Sequence, residues 1–223
     1  MASTTVPDAL HEALEHAKVP ANSTGRTLLM LSGGLDSTAL LTALLEHTTH
    51  KVHAHHIELR NREGRAPAES RAIERVYEWC SRHRREFEHS ESTNDFPLGI
   101  GGGWDTTLSM FMAARVCYSL RHQVQLVVTG HIQPGFGELT EGEAVFHAAF
   151  IHRVRRPRWV RPLAFVAGTQ AERKAIIRDS MPPELVEAAW WCRRPTGEHR
   201  DQPCGECHAC KGMVEAAEVS RDE

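Results

Sequence analysis

The chain has no run of eighteen or more apolar residues, so no segment reads as a membrane span. It also lacks an excess of either charge. Its 26 Lys and Arg stand against 29 Asp and Glu, a formal net charge of −3. That balance gives no general attraction to nucleic acid or to a membrane surface. Residues 1–25 are mixed polar and contain no apolar core of a signal peptide, so the expected location is the cytoplasm. Cysteine is nearly missing ahead of residue 190, where Cys80 and Cys117 stand alone inside helical patterns and read as core. What is present is 223 residues with 41% hydrophobic content, enough for one α/β domain with a small appendage.

The richest stretch is Leu28 to Thr38, Leu-Leu-Met-Leu-Ser-Gly-Gly-Leu-Asp-Ser-Thr. A short apolar run ends in Ser-Gly-Gly, and an acid with two hydroxyl residues opens a new apolar-periodic segment. That pattern reads as strand, tight turn and helix N-terminus. Gly33 and Gly34 permit positive φ and close backbone approach. Turn amides and the positive end of the helix dipole then face one small volume suited to an anion. Ser32, Ser37 and Thr38 add hydroxyl donors. Asp36 would repel a phosphate unless a cation lies between them, and Mg²⁺ carried in with a nucleotide supplies one. The bland alternative is a Ser-Gly-Gly turn with a helix cap at Asp36 or Ser37. A Walker loop is excluded, because no Lys follows the second glycine.

Hydrophobic periodicity predicts a helix over 7–18, a linker over 20–25, a strand over 26–31, a helix over 36–47 and a strand over 51–59. Strand, helix, strand with such short gaps implies a right-handed parallel crossover. Ligands of open α/β sheets sit beyond the carboxyl ends of strands, where Ser32 and the backbone after Ile57 both fall. His53, His55 and His56 lie on the second strand without further ligand spacing, so they read as core rather than metal ligands. A polar loop containing Arg60 and Arg62 precedes a long amphipathic helix over 66–85. A third strand is expected over 86–90 and a glycine-rich loop over 92–103.

Asp105 or Thr106 caps a helix ending near Leu120. Residues 125–130 are a buried strand whose end, Thr129-Gly130-His131, is expected beside the Ser-Gly-Gly loop. A loop is expected over 133–142 and a helical turn over 146–152. The arginine-rich stretch 153–161 reads as a strand edge or partner surface rather than a nucleic-acid patch, because Pro157, Trp159 and Val160 interrupt the charge. Helices over 169–180 and 184–190 follow, and the charged tail from Glu215 is expected to fray.

Cys192-x11-Cys204-x2-Cys207-x2-Cys210 is the second strong signal. Four thiolates give Zn²⁺ a closed tetrahedral shell, which suits a structural staple rather than hydrolysis. Gly205 supplies the backbone freedom of the knuckle. An iron–sulfur centre would use the same four ligands.

Ser32-Gly33-Gly34-Leu35-Asp36-Ser37-Thr38 resembles the pyrophosphate loop of the ATP pyrophosphatases, which cleave ATP between the α and β phosphates. With the C-terminal Cys-Gly-x-Cys-x-x-Cys, the chain is similar to the 7-cyano-7-deazaguanine synthases of that superfamily. The similarity is best at 26–58, 113–130 and 161–211. The resemblance implies an adenine-nucleotide α-hydrolase-like fold, a parallel sheet flanked by helices with a four-cysteine zinc segment at the C-terminus. It divides the chain into an N-terminal helix and linker (1–25), the nucleotide domain (26–180) and the zinc segment (181–223).

The activity implied is an ATP-dependent C–N ligase using ATP, Mg²⁺ and Zn²⁺. It adenylates 7-carboxy-7-deazaguanine, and ammonia then gives the amide and finally the nitrile. By the same resemblance ATP would meet Met30 through Thr38, Ile57 and Gly130. Ser32, Asp36, Ser37 and Lys174 would carry the chemistry, and Cys192, Cys204, Cys207 and Cys210 the zinc. The partners implied are the small carboxylate and ammonia, with a homodimer as an option and no stable nucleic-acid or membrane partner.

Three places depart from the family pattern. Gly103-Trp104-Asp105 stands where the family has an Arg-Asn pair. Gln133 to Glu141 replaces its substrate loop, so Glu138 or Glu141 would have to take the guanine-like edge. Gln170-Ala171-Glu172 replaces Lys-Ala-Glu, so the cation is expected one turn on, at Arg173 or Lys174. Arg60, Trp104, Asp105, Glu138 and Glu141 are thus the candidate substrate contacts. These departures leave room for an enzyme that stops at the amide, one that adenylates another carboxylate, a tRNA-modifying relative, or a nucleotide-binding module without catalysis.

Overall fold

The structure, a computed structural model, describes residues 5–95, 104–120, 123–131, 138–150 and 156–219; the side chains of residues 104, 105 and 138–141 lie outside that description. Helix α1 (Val6–His16) leads into β1 (Arg26–Met30), α2 (Leu35–His47), β2 (Lys51–Arg60), α3 (Ala66–His83) and β3 (Glu88–Asp95). The chain continues through α4 (Trp104–Ser119), β4 (Val124–Val128), α5 (Glu138–Ala149) and β5 (Arg158–Val160). A 3-10 turn (Pro162–Phe165) precedes α6 (Gln170–Asp179), α7 (Pro183–Ala188) and α8 (His208–Val219).

Among the described residues five strands form one sheet in the order β3-β2-β1-β4-β5, and every pairing is parallel. Strand order therefore runs outward from β1 in one direction, then returns to β4 on its other side. The gap between the ends of β1 and β4 is the switch point where ligands of such sheets bind. Two apolar clusters cover the two faces. Leu29, Leu40, Ile73, Val128 and Ile177 belong to one, under α1, α2, α3 and α6. Leu28, Met110, Val127 and Phe146 belong to the other, under α4 and α5. Both faces are thus closed, which is why β1 and β4 read as continuous apolar runs.

Three elements differ from expectation. Strand β3 runs to Asp95 rather than ending at Ser90, because β2 templates it residue by residue as far as Arg60↔Asp95. Its polar Ser-Glu-Ser-Thr sequence carries no apolar alternation to reveal this. The segment from Glu138 is helical where a loop was expected through Gly142. A Cβ at Gly142 would lie 3.1 Å from Met110 Cγ and 3.3 Å from Thr106 Cγ2, so the glycine marks a close approach of α5 to α4 rather than a turn. Helix α8 holds to Val219, past the expected fraying point, with Ala216 buried on it.

Candidate active site

Strand β1 hands over to the loop through Leu31, whose N–H donates to His55 O at 2.8 Å. Gly33 has φ +76°, and its carbonyl accepts the Trp190 N–H at 2.8 Å. Any side chain there would strain the backbone and sit 3.2 Å from Glu69 O. Gly34 is the N-cap of α2 and supplies no side-chain cap. The expected alternative of an Asp36 or Ser37 cap is therefore not what the helix uses. Its first-turn amides are left for water or an anion. The Ser32 N–H donates to Ser37 Oγ at 3.1 Å, and the two hydroxyls lie 3.1 Å apart, which pins the loop to the first helical turn.

Asp36 meets its cation directly. Lys174 Nζ donates to both carboxylate oxygens, at 2.6 and 2.7 Å. Of the two cations expected on this helix, Lys174 is the one that reaches the loop. Its position is set by a capping box at the start of α6. The Thr169 N–H donates to Glu172 Oε2 at 2.6 Å, and the Glu172 N–H donates to Thr169 Oγ1 at 3.3 Å. From the other side of the switch point, a Cβ at Gly130 would lie 3.3 Å from both Asp36 Cβ and Ser37 N, so the end of β4 presses against the loop.

These elements enclose a cavity of about 350 Å³. That is within the range of small-molecule sites. Its wall holds every residue from Met30 to Ser37 except Gly33, together with Ile57, Gly130 and Lys174. Thr38 is fully buried behind the wall, and among the described residues its hydroxyl has no partner. Arg60, a candidate substrate contact, is not in the wall: its guanidinium is exposed and donates to Glu58 at 3.1 and 3.2 Å. An acid two residues earlier on the strand end captured it. The side chains of Trp104, Asp105, Glu138 and Glu141 lie outside the described residues.

The wall also holds residues that sequence reading did not nominate, among them Glu69, Thr106, His131, Trp190, Arg193 and Met213. His131 had a signal, as the last of Thr129-Gly130-His131, the strand end expected beside the loop, three residues beyond Val128. Trp190 and Met213 had none, since they arrive by tertiary folding of the C-terminal segment. Burial, with the nearby Arg161 charge, pushes the His131 imidazole down to about 4, so it is neutral at pH 7. His55 is likewise pushed down to about 4, by burial first and then by His53 and His56. Its ring bonds Ser90 Oγ at 2.8 Å and Ser92 Oγ at 3.0 Å, and His53 bonds the same Ser90 at 2.7 Å. His53 and His55 are thus bonded to serines of β3, whereas His56 Nδ1 bonds the Leu31 carbonyl at 3.1 Å.

Cys192, Cys204, Cys207 and Cys210 bring their sulfurs within 4.8 Å of one another. The Cys192 sulfur accepts N–H bonds from Arg194 at 3.3 Å and Cys204 at 3.2 Å, and Cys204 accepts one from Cys207 at 3.3 Å. Burial, followed by the neighbouring thiols, pushes Cys210 up to about 12. Four thiols this close ionise together only around a cation. The donor set therefore fits a metal. His208 and Ala209, between the last two cysteines, belong to the cavity wall, so the cluster adjoins the site.

Residues 8–202 match the asparagine synthase family. The chain belongs to that family. Family membership and the loop geometry make it a pyrophosphate-loop ATP pyrophosphatase, and hence an ATP-dependent enzyme. No curated protein matches its sequence. Among solved structures it is similar to the U34-tRNA thiolase NcsA from Methanococcus maripaludis, which carries a 4Fe–4S cluster. That match has a TM-score of 0.54 at 13% identity and covers 97% of this chain and 76% of the thiolase chain. Identity that low speaks to fold alone, and the fold agrees: a parallel sheet between helix layers, with a four-cysteine cluster able to bind metal. Among the described residues no helix is long and apolar enough to cross a membrane.

Proposed function

We propose that this enzyme adenylates a carboxylate, 7-carboxy-7-deazaguanine, and passes the acyl group to ammonia to form the amide; a second ATP then adenylates the amide oxygen, which leaves with AMP as the nitrile forms, and each round releases AMP and pyrophosphate. The observation that supports it most is the junction of the open α2 N-terminus with the Lys174–Asp36 pair in one cavity wall. A carboxylate is a poor acyl donor because its leaving group would be oxide. Attack of its oxygen on the α-phosphorus forms the C(O)–O–P bond and breaks the α–β bridge, so AMP becomes the later leaving group. Pyrophosphate leaves toward the amides after Ser32, where no side chain competes for the helix end. Lys174 offsets the charge of Asp36 so that the phosphates can approach. Asp36 would hold Mg²⁺, which would neutralise charge developing on the phosphates. Ser32 and Ser37 hold the loop in shape, and transfer of this kind needs positioning rather than a nucleophile from the protein.

Zinc is the metal we assign to the cysteines. A Zn–S bond of about 2.3 Å in a tetrahedron sets sulfurs about 3.8 Å apart. A cubane joins each thiolate to a different iron and so spreads the sulfurs farther. Sulfurs all within 4.8 Å favour the single ion. A second reading, RNA thiolation, has one observation in its favour: the cysteine-bearing segment forms part of the cavity wall, beside the reacting groups.

The deciding experiment incubates purified protein with Mg²⁺-ATP, 7-carboxy-7-deazaguanine and ammonium, and follows AMP and product mass. The nitrile is expected. Arrest at the mass of the amide would shorten the pathway by one step, and no AMP would remove the ligase. Iron in place of zinc, with tRNA retained on a filter at moderate salt, would favour the second reading.

A further inference from the structure

Four side chains at the end of β4 form a hydrogen-bonded series that leads into the cavity. Trp159 Nε1 donates to Thr129 Oγ1 at 2.9 Å. Thr129 Oγ1 lies 2.9 Å from His131 Nδ1, and His131 Nε2 lies 3.1 Å from Thr106 Oγ1. The direction of each bond follows from what its atoms can do. An indole N–H only donates, so Thr129 accepts there. Thr129 is 1% exposed, and among the described residues its hydroxyl hydrogen-bonds Trp159 and His131 only. Its own proton therefore goes to His131 Nδ1. A neutral imidazole carries one proton, which is then on Nε2 and is donated to Thr106. Burial keeps the ring neutral at working pH. With a lone pair of its oxygen engaged, Thr106 has its hydroxyl proton to give elsewhere, and the residue lies in the cavity wall.

We infer that the Thr106 hydroxyl is an oriented hydrogen-bond donor to an oxyanion of the reacting ligands, with Trp159, Thr129 and His131 as positioning residues. The inference rests on the adenylation reading for the identity of those ligands. His131 follows Gly130, which packs against Asp36, and Thr106, His131 and Asp36 all line the same cavity. An α-phosphate oxygen of the nucleotide and a carboxylate oxygen of the acyl substrate share the required chemistry. The chain starts at an obligate donor, so the proton of the Thr106 hydroxyl is left for the ligand, while its oxygen keeps one further lone pair.

Two measurements test this. In the ligand-free protein, long-range ¹H–¹⁵N NMR should show His131 as the Nε2–H tautomer, and Trp159→Phe should give mixed tautomers; a wild-type Nδ1–H signal overturns the network. Calorimetry then compares α,β-methylene-ATP and 7-carboxy-7-deazaguanine on wild type, Thr106→Val and Thr106→Ser. Loss of a bond to a charged acceptor predicts weakening by roughly tenfold or more for Thr106→Val, with Thr106→Ser near wild type. A loss confined to the nucleotide assigns the phosphate, and one confined to the acid assigns the carboxylate. A folded Thr106→Val protein that equals wild type for every ligand the wild type binds overturns the inference. A wild type that binds nucleotide but not the acid removes the substrate proposed above, and the nucleotide arm still decides the role of Thr106.

Discussion

Two side chains carry most of the charge logic of the cavity. Lys174 spans both oxygens of Asp36, and each side chain is about one quarter exposed or less. Removing the ammonium leaves the Asp36 carboxylate facing incoming phosphates without the side-chain cation that spans it. Lys174→Ala is expected to lower kcat/KM for AMP formation by roughly a hundredfold, the scale of one lost electrostatic stabiliser, and Lys174→Arg by less. A steady-state AMP assay decides, and unchanged turnover would show that the pair is only structural. His55 makes a separate prediction in pH. Its folded value is about 4, below the ordinary 6.5, so between those values the unfolded chain holds more protons than the native one. Stability therefore falls as pH drops through 6.5 and the loss levels off near 4. From pH 7.5 to pH 5 this one ring, 4% exposed, costs about 2 kcal/mol. In urea titrations at both pH values, His55→Gln should lose less stability on acidification than wild type by that amount. Equal losses would mean that the ring titrates normally.

Elements translate those residues into position, and their legibility in the sequence was uneven. The β1–loop–α2 unit was readable because its signals are local: an apolar run, two glycines, then hydroxyl and acid. Helix α6 was readable over 169–180 as well, and its capping box, Thr169 with Glu172, is a local signal that the structure adds. Helix α5 was not. Gly142 there serves contact with Met110 across to α4, and a glycine used for close packing has the same letter as one used for a turn. Strand β3 was short in the sequence because its length is imposed by β2. The wall residues Trp190 and Met213 were invisible, since no local pattern says which distant segment will close a cavity. The capping box gives a test at this scale. Thr169→Ala should cost about 1 kcal/mol of stability. Because Lys174 sits on the second turn of the same helix, it should also raise KM for ATP. A variant destabilised with KM unchanged would show that α6 holds Lys174 without its cap.

The molecule as a whole places its metal-binding segment against the nucleotide loop. The Trp190 N–H caps the Gly33 carbonyl at 2.8 Å, and Arg71 on α3 donates to the carbonyls of His199 and Arg200 at 3.2 Å. Helix α8 carries Gly212 and Met213 into the cavity wall and packs on α6, the helix of Lys174. The stretch from 192 to 207 has one isolated bridge, Thr196↔Gln202, and little regular structure of its own. Its conformation must come from the metal and from these few contacts. Loss of the ion should therefore open one wall of the site while the sheet persists, since β1, β2 and β4 are buried between two apolar layers independent of the cysteines. Chelation, or Cys204→Ser, should raise hydrogen exchange across 192–210 and leave the β1 and β4 amides protected. ATP affinity should fall by roughly tenfold, because Trp190 no longer fixes the turn that presents the α2 amides. Full metal loss, verified by elemental analysis, with ATP affinity intact would detach the cysteine cluster from the active site and leave it a staple of the C-terminus alone.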